Sequence, residues 1–293
     1  MILSNEKAFR GLLGNPTANR LGLHVARILV SDLMLFLRRA PFSWLAYKHY
    51  RTLAKNGVVM IESFADPTAF AAICQDVKQA LNDQAITPDT GITGFGQKHI
   101  HAHGFDRYDG SSLNRFVEID HYPHLTALFK SSKMNRLTLA LFGMLNRKQY
   151  YVYELKHGDH AKNHDRQKDA HKDTFHSTYK LWYFVEDVSL EAGPFEYAFQ
   201  SNRSTWKRLQ WEYQMSCAAS SDPTHPNRGG AFRVSKTELA QIAHPLTPVM
   251  VKANTLVIAD TKGFHRRGDA PIGSSRLSIY ANFRPLAFLP FVH

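Results

Sequence analysis

Apolar positions along the chain change period partway through, dividing it into a helical first part and a strand-rich second part. Up to about residue 56 the spacing is helical, with a break near Pro41. The β-branched run Gly57-Val58-Val59-Met60-Ile61 then reads as a strand. Asp66-Pro67 opens the next helix, with Asp as N-cap and Pro at the first helical position, where its missing N–H costs no bond. Ala69, Phe70, Ile73, Val77 and Leu81 continue that helix. Residues 84–112, with Gly91, Gly94, Gly96 and Gly104, read as loop, and Leu125 to Leu145 as two helices or one bent helix. From Gln149 the period falls to two, Tyr151, Tyr153 and Leu155 alternating with other residues. Short strands are predicted at 171–176, 179–186, 195–199, 248–252, 255–259 and 275–283. A helix around 204–214, a loop around 216–232 and a short helix opened by a Ser235/Glu238 capping box interrupt them. Helices followed by many short strands predict an α+β chain whose β part is a sandwich or jelly roll. No repeat or linker divides it, so the expected organisation is a helical extension over residues 1–56 and one domain over 57–293.

With 293 residues, 44% of them hydrophobic, the chain can bury a sizeable core. Its two cysteines, Cys74 and Cys217, lack CxxC spacing. That argues against a disulfide framework or a thiolate zinc site and fits a reducing cytoplasm. A net charge of +11 favours acidic partners: phosphorylated or carboxylated substrates, anionic lipid or nucleic acid. The basic residues are spread out and form no compact nucleic-acid motif, which argues against the last. No secretory cleavage site follows the N-terminal apolar run. Leu21 to Leu37 is short for a bilayer span and carries His24, Arg27 and Asp32. Two readings of it stay open. The preferred one is a helix packed on the domain. The other is peripheral membrane contact through residues 19–48, suggested by Arg38–Arg39 with Phe42, Trp44 and Tyr47 nearby.

The segment His171-Lys172-Asp173 puts two ligand types at i and i+2 of a predicted strand, hence on one face. Imidazole and carboxylate together suit Fe(II). Such a pair arises easily by chance among 16 histidines, and the C-terminal region adds what it lacks. The apolar strand Thr255 to Asp260 leads into a turn carrying His265, and the alternating strand Ser275 to Tyr280 follows. A third ligand from a neighbouring strand completes a two-His, one-carboxylate face and leaves the other side of a metal open. Arg276 and Ser278 share a strand face. A guanidinium fork and a hydroxyl there could hold the distal carboxylate of 2-oxoglutarate. Without His265, a surface ion pair would be the default for Arg276. His99, His101 and His103 read as loop or pocket-lining residues, and His157, His160 and His164 as solvated or lid residues. His176, at odd spacing from Asp173, turns to the opposite face, and Trp182 and Tyr183 are core or pocket wall.

Four segments carry a resemblance. They are His171-Lys172-Asp173-Thr174-Phe175-His176, Tyr179 to Val188, Glu191-Ala192-Gly193-Pro194-Phe195-Glu196-Tyr197, and Gly263-Phe264-His265-Arg266-Arg267-Gly268 with Arg276 eleven residues after the histidine. Over roughly residues 57–285 the chain resembles the phytanoyl-CoA dioxygenase-like family of Fe(II)/2-oxoglutarate-dependent oxygenases. The resemblance implies a double-stranded β-helix (cupin-like jelly roll), iron on His171, Asp173 and His265, and co-substrate on Arg276. It implies use of O2 and release of succinate and CO2 as a substrate C–H bond is hydroxylated. Many members follow the Gly-Pro segment with a Pro-Gly-Ser-His turn; this chain has Phe199-Gln200-Ser201-Asn202. Related halogenases keep the position of Asp173 small, so a carboxylate there argues for hydroxylation. The expected substrate is a small or lipid-linked metabolite, with an anionic one favoured by charge. Competing readings are a non-catalytic binding protein on the same fold, a nucleic-acid demethylase, and a zinc hydrolase, which would leave Arg276 without a task.

Overall fold

Strands buried on both faces need a layer on each side, and the alternation along three of them shows which layers those are. The structure, a computed structural model, describes residues 14–83, 98–101, 103–110, 112–158, 165–228 and 230–292. Among them are α1 (Pro16–Arg20), α2 (Leu23–Arg39), α3 (Tyr47–Asn56), α4 (Pro67–Asp83), α5 (Pro123–Phe129), α6 (Ser132–Phe142), α7 (Trp206–Ser221) and α8 (Lys236–Ile242). The strands are β1 (Val58–Ile61), β2 (Lys98–His101), β3 (Gly104–Asp109), β4 (Ser112–Glu118), β5 (Tyr151–Lys156), β6 (Tyr179–Phe184), β7 (Phe195–Ala198), β8 (Leu246–Pro248), β9 (Thr255–Asp260), β10 (His265–Arg267) and β11 (Ser275–Phe283). They form an antiparallel eight-stranded sheet, ordered β1-β9-β6-β11-β5-β4-β3-β2, and a three-stranded sheet, β10-β7-β8.

Leu181 and Tyr183 of β6, Leu256 and Ile258 of β9, and Ile279 and Ala281 of β11 join the core beneath the helices, with Ile73, Val77 and Phe142. The intervening Trp182, Phe184, Val257 and Ala259 face the small sheet. There the Trp182 and Phe195 rings lie 4.8 Å apart. The result is a jelly-roll body with helices outside its larger sheet, the α+β architecture expected from the sequence.

The helix signals act as their chemistry requires. The Asp66 carboxylate accepts from the Ala69 N–H at 2.9 Å, and Ser235 and Glu238 form a reciprocal capping box on α8. The preferred packing of the N-terminal helices also holds. His24 lies 2.9 Å from Glu212 of α7, Asp32 pairs with Lys262, and Arg38 donates to the Leu286 carbonyl at 2.7 Å.

Several local expectations are corrected. Within 84–112, expected as loop, the described residues contain β2, β3 and the start of β4. Hydropathy misses β3 because it and β4 bury ion pairs as well as rings, Arg115 contacting Asp106 at 3.2 Å. The helix expected at 204–214 runs on to Ser221 as α7, because its buried side carries Arg208 and Glu212 and so lacks an apolar stripe. The strand expected at 248–252 is displaced: β8 covers Leu246–Pro248, the Val249 N–H makes one more bond to the Phe195 carbonyl at 2.8 Å, and Val251 makes an isolated bridge to Val188.

Candidate metal centre

His171 and His265 face each other as a hydrogen-bonded antiparallel pair, each N–H donating to the other's carbonyl at 3.0 and 2.9 Å. His265 therefore begins a strand, β10, paired with β7, rather than lying in the expected turn. The strand expected at 171–176 is not continuous. His171 makes isolated bridges, the Lys172 and Asp173 N–H groups donate to Phe232 and Thr261, and the chain then bends. Three extended residues are enough for the alternation that matters. His171 and Asp173 line one cavity, while Lys172 points away into the protein, fully buried.

Lys172 anchors this segment. Its ammonium lies 2.6 Å from Glu212, which also receives the Arg208 guanidinium at 3.0 Å and His24 at 2.9 Å. Burial lowers the Lys172 amine to about 8 despite Glu212. Burial would raise the Glu212 carboxyl, but Lys172 and Arg208 hold it well below the usual range. A buried charge persists only when compensated in this way.

Both imidazoles are oriented through Nδ1, which donates to a backbone carbonyl: His171 to Asp169 at 2.7 Å and His265 to Gly263 at 2.9 Å. That tautomer leaves each Nε2 lone pair free for a metal. Asp173 Oδ1 lies 3.6 Å from His171 Nε2 and 3.5 Å from His265 Nε2. Metal–ligand bonds of about 2.1 Å put two donors of one ion within roughly 4 Å of each other, which both Asp173 contacts satisfy as they stand. All three ligand atoms lie within 4.8 Å of one another. Burial, reinforced by His171, pushes the His265 imidazole down to about 4, and its Nε2 is buried without a hydrogen-bond partner. A neutral, desolvated, unsatisfied nitrogen is what a metal ligand requires. These residues fit a divalent metal.

Asp173 is held by a residue the sequence reading missed. Its second oxygen, Oδ2, lies 2.9 Å from Lys180 Nζ, so one oxygen is committed and the other faces the histidines. Burial alone would raise the Asp173 carboxyl, but Lys180 and His265 hold it well below the usual carboxylate range. The available signal was a lysine inside the apolar strand Tyr179-Lys180-Leu181-Trp182. Lys180→Met should weaken Fe(II) affinity by roughly 10–100-fold, as loss of a group orienting a ligand does. Anaerobic Fe(II) titration measures this, and unchanged affinity would show that Lys180 does not position the carboxylate.

Behind the triad, Arg276 of β11 is only 7% exposed. Its Nη1 donates to the Gly193 carbonyl at 2.5 Å, while its Nε has no partner. Burial lowers this guanidinium to about 10. No acid pairs with it among the described residues, whereas nearby Arg267 holds Asp165 at 2.7 Å and Asp109 at 3.4 Å. Ser278, two residues along the same face, has a buried hydroxyl without a partner. His157, expected as a solvated or lid residue, is buried rather than solvated, because the chain after β5 turns inward and its N–H bonds the Ser274 carbonyl. Both its ring nitrogens lack partners, and burial, then Arg267 and Arg276, lower the imidazole to about 4. The Gly193 backbone, which receives Arg276, also packs against the His157 ring.

The remaining histidines whose side chains are described stay out of the centre. His103 packs against His121 with ring centroids 4.1 Å apart and tilted, and His176 lies 3.1 Å from the Thr174 hydroxyl. The side chains of His99 and His101, and all of His160 and His164, fall outside the described residues. Trp182 lines the metal cavity and Tyr183 belongs to the helix-side core. The unusual Phe199–Asn202 turn is held by the Ser201 hydroxyl, which accepts from the Phe264 N–H at 2.8 Å one residue before His265.

The sequence profile of the phytanoyl-CoA dioxygenase family matches residues 53–265. No curated protein matches the chain. Among solved structures it is similar to the epimerase SnoN in complex with Fe3+, α-ketoglutarate and nogalamycin RO, at TM-score 0.48 and 13% identity, covering 83% of this chain and 88% of that one. It is also similar to HygX from Streptomyces hygroscopicus with nickel, 2-oxoglutarate and hygromycin B, at TM-score 0.44 and 11% identity over 83% and 88% of the two chains. EctD from S. alaskensis with 2-oxoglutarate and 5-hydroxyectoine gives TM-score 0.47 and 11% identity over 83% and 77%.

Proposed function

Because the chain belongs to the phytanoyl-CoA dioxygenase family, and is thus a 2-oxoglutarate-dependent dioxygenase, we propose that it hydroxylates a C–H bond of a small or lipid-linked, anionic metabolite at the His171–Asp173–His265 centre. The observation that carries this reading is Arg276. A buried guanidinium that meets no acid among the described residues, beside three convergent metal donors, calls for a dicarboxylate that also reaches the metal.

Bound iron and 2-oxoglutarate would supply the oxidising power, O2 being consumed as the keto acid becomes succinate and CO2 and one oxygen atom enters the substrate. The chain's own residues bind, orient and exclude water. His171, Asp173 and His265 would hold the metal. Arg276, with Ser278, grips the distal carboxylate, fixing which end of the co-substrate points inward. Lys180 holds Asp173 Oδ2, which would leave Oδ1 to the metal. Phe116, Tyr153, Trp182 and Tyr280 wall a cavity of about 390 Å³ beside the centre and limit water there.

The anionic substrate is supported by the cavity's continuation. A second space of about 620 Å³ shares Asp173 and Arg284 with the first and is also lined by Arg27 and Arg228. Arg27 lies 3.9 Å over the Phe175 ring, and its Nε is buried without a partner. A substrate with an anionic group among these arginines would extend toward the metal, making the N-terminal extension a working wall of the 57–293 domain. The enzyme is expected to act in the cytoplasm.

Succinate release, measured over a panel of phosphorylated, carboxylated and neutral metabolites, tests the reading. Stimulation by one or more anionic members, lost after Arg27→Gln/Arg284→Gln, is expected. Stimulation by neutral members alone would contradict the substrate class.

A further inference from the structure

α2 has one buried face and one exposed face that packing does not explain. Its inner face, with His24, Ile28, Ser31, Leu35 and Arg38, is buried on the body. On the opposite side Leu29, Val30, Leu33, Phe36 and Leu37 are each exposed by 44–55%. At 3.6 residues per turn these five fall within about a third of the helix circumference, as one stripe. Leu21 before the helix is 84% exposed, and Trp44 in the bend after it 72%. Scattered exposed leucines are ordinary, whereas a contiguous apolar stripe marks a surface that meets something.

We propose that this face docks the protein on an anionic phospholipid bilayer. Charge chooses the occupant. Over residues 14–56, seven Lys or Arg residues stand against one acid, Asp32, which is already paired with Lys262. Arg20, Lys48, Arg51 and Lys55 are exposed. An apolar stripe with basic flanks and an amphipathic Trp at its end matches a helix lying in the headgroup region of an acidic leaflet. A second copy of the chain would instead bring like charges together. No helix among the described residues is long and apolar enough to cross a membrane, so the helix lies on the surface.

Docking has a consequence for access. His24 and Arg27, on other sides of α2, line the cavity that reaches Asp173. The element that meets lipid therefore also walls the route to the metal, which suits an amphiphilic anion drawn from the bilayer. That consequence rests on the proposed oxygenase reading; the docking itself does not.

Flotation of the full-length chain with vesicles, scored by protein recovered with lipid, tests the proposal without any enzymatic readout. Binding to mixed phosphatidylglycerol/phosphatidylcholine vesicles but not to phosphatidylcholine alone is expected, weakening with salt. Leu33→Ser/Phe36→Ser should reduce partitioning by roughly tenfold or more through lost apolar contact. Lys48→Gln/Arg51→Gln should weaken it at low salt, each lost charge by roughly fivefold. These side chains are exposed, so an unchanged circular dichroism spectrum is expected in both variants. Three outcomes would overturn the proposal: wild type floating with neither vesicle, the serine variant floating as well as wild type, or a wild-type dimer in light scattering that the serine variant turns into a monomer.

Discussion

Asp173→Ala is expected to lower Fe(II) affinity by more than about 100-fold, since losing only a group that orients a ligand costs 10–100-fold. 2-Oxoglutarate turnover should fall to background with it. The carboxylate is the sole anionic donor of the triad, and its Oδ1 is the atom that meets both histidines, at 3.6 and 3.5 Å. Without it two neutral imidazoles remain, and Lys180 stands beside them as a positive charge that repels a cation. The metal-free variant should unfold near the wild-type temperature, because the segment is anchored through Lys172 and Glu212 rather than through Asp173. Anaerobic Fe(II) titration and a thermal melt check both halves. Wild-type affinity in the variant would remove Asp173 from the ligand set.

Arg276→Leu is expected to move two measurements in opposite directions. Truncating one partner of a buried charge pair costs roughly 2–5 kcal/mol, so the apparent affinity for 2-oxoglutarate should fall by roughly thirty-fold to several-thousand-fold. The co-substrate-free protein, by contrast, should melt at or above the wild-type temperature. In it the guanidinium is buried and, among the described residues, meets no acid and bonds the Gly193 carbonyl while its Nε has no partner, a destabilising arrangement that leucine relieves. Saturating co-substrate should stabilise wild type, by about 2.7 kcal/mol at a hundred times its Kd, and leave the variant unmoved. A variant that loses stability in the free state but keeps its co-substrate affinity would show Arg276 to be structural.

Legibility from sequence followed where free energy is spent on apolar burial. β6, β9 and β11 were readable because their residues alternate between two apolar layers. β3 and β4 were not, because Asp106, Arg115, Asp109 and Asn114 are buried through mutual hydrogen bonds that hydropathy cannot register. The same blindness hid the site's supports. Lys172, a residue type almost never fully buried unless paired, is fully buried against Glu212, forty positions away. His157 reads as part of a charged loop, yet it turns inward behind Gly193. The grouping of His171, Asp173 and His265 was accessible because i, i+2 alternation is local and the fourth motif supplied the partner strand. The family profile ends at His265, so the part of the site built on β11 rests on the burial and isolation of Arg276.

The most direct test of a single iron and 2-oxoglutarate site is an anaerobic titration followed by visible absorption. Fe(II) is added to wild type, then 2-oxoglutarate. A weak charge-transfer band is expected only when both are present, saturating at one iron and one co-substrate per chain and absent in His171→Ala. Iron that binds without producing the band, or a band that survives loss of His171, would contradict the assembly of these residues into one site.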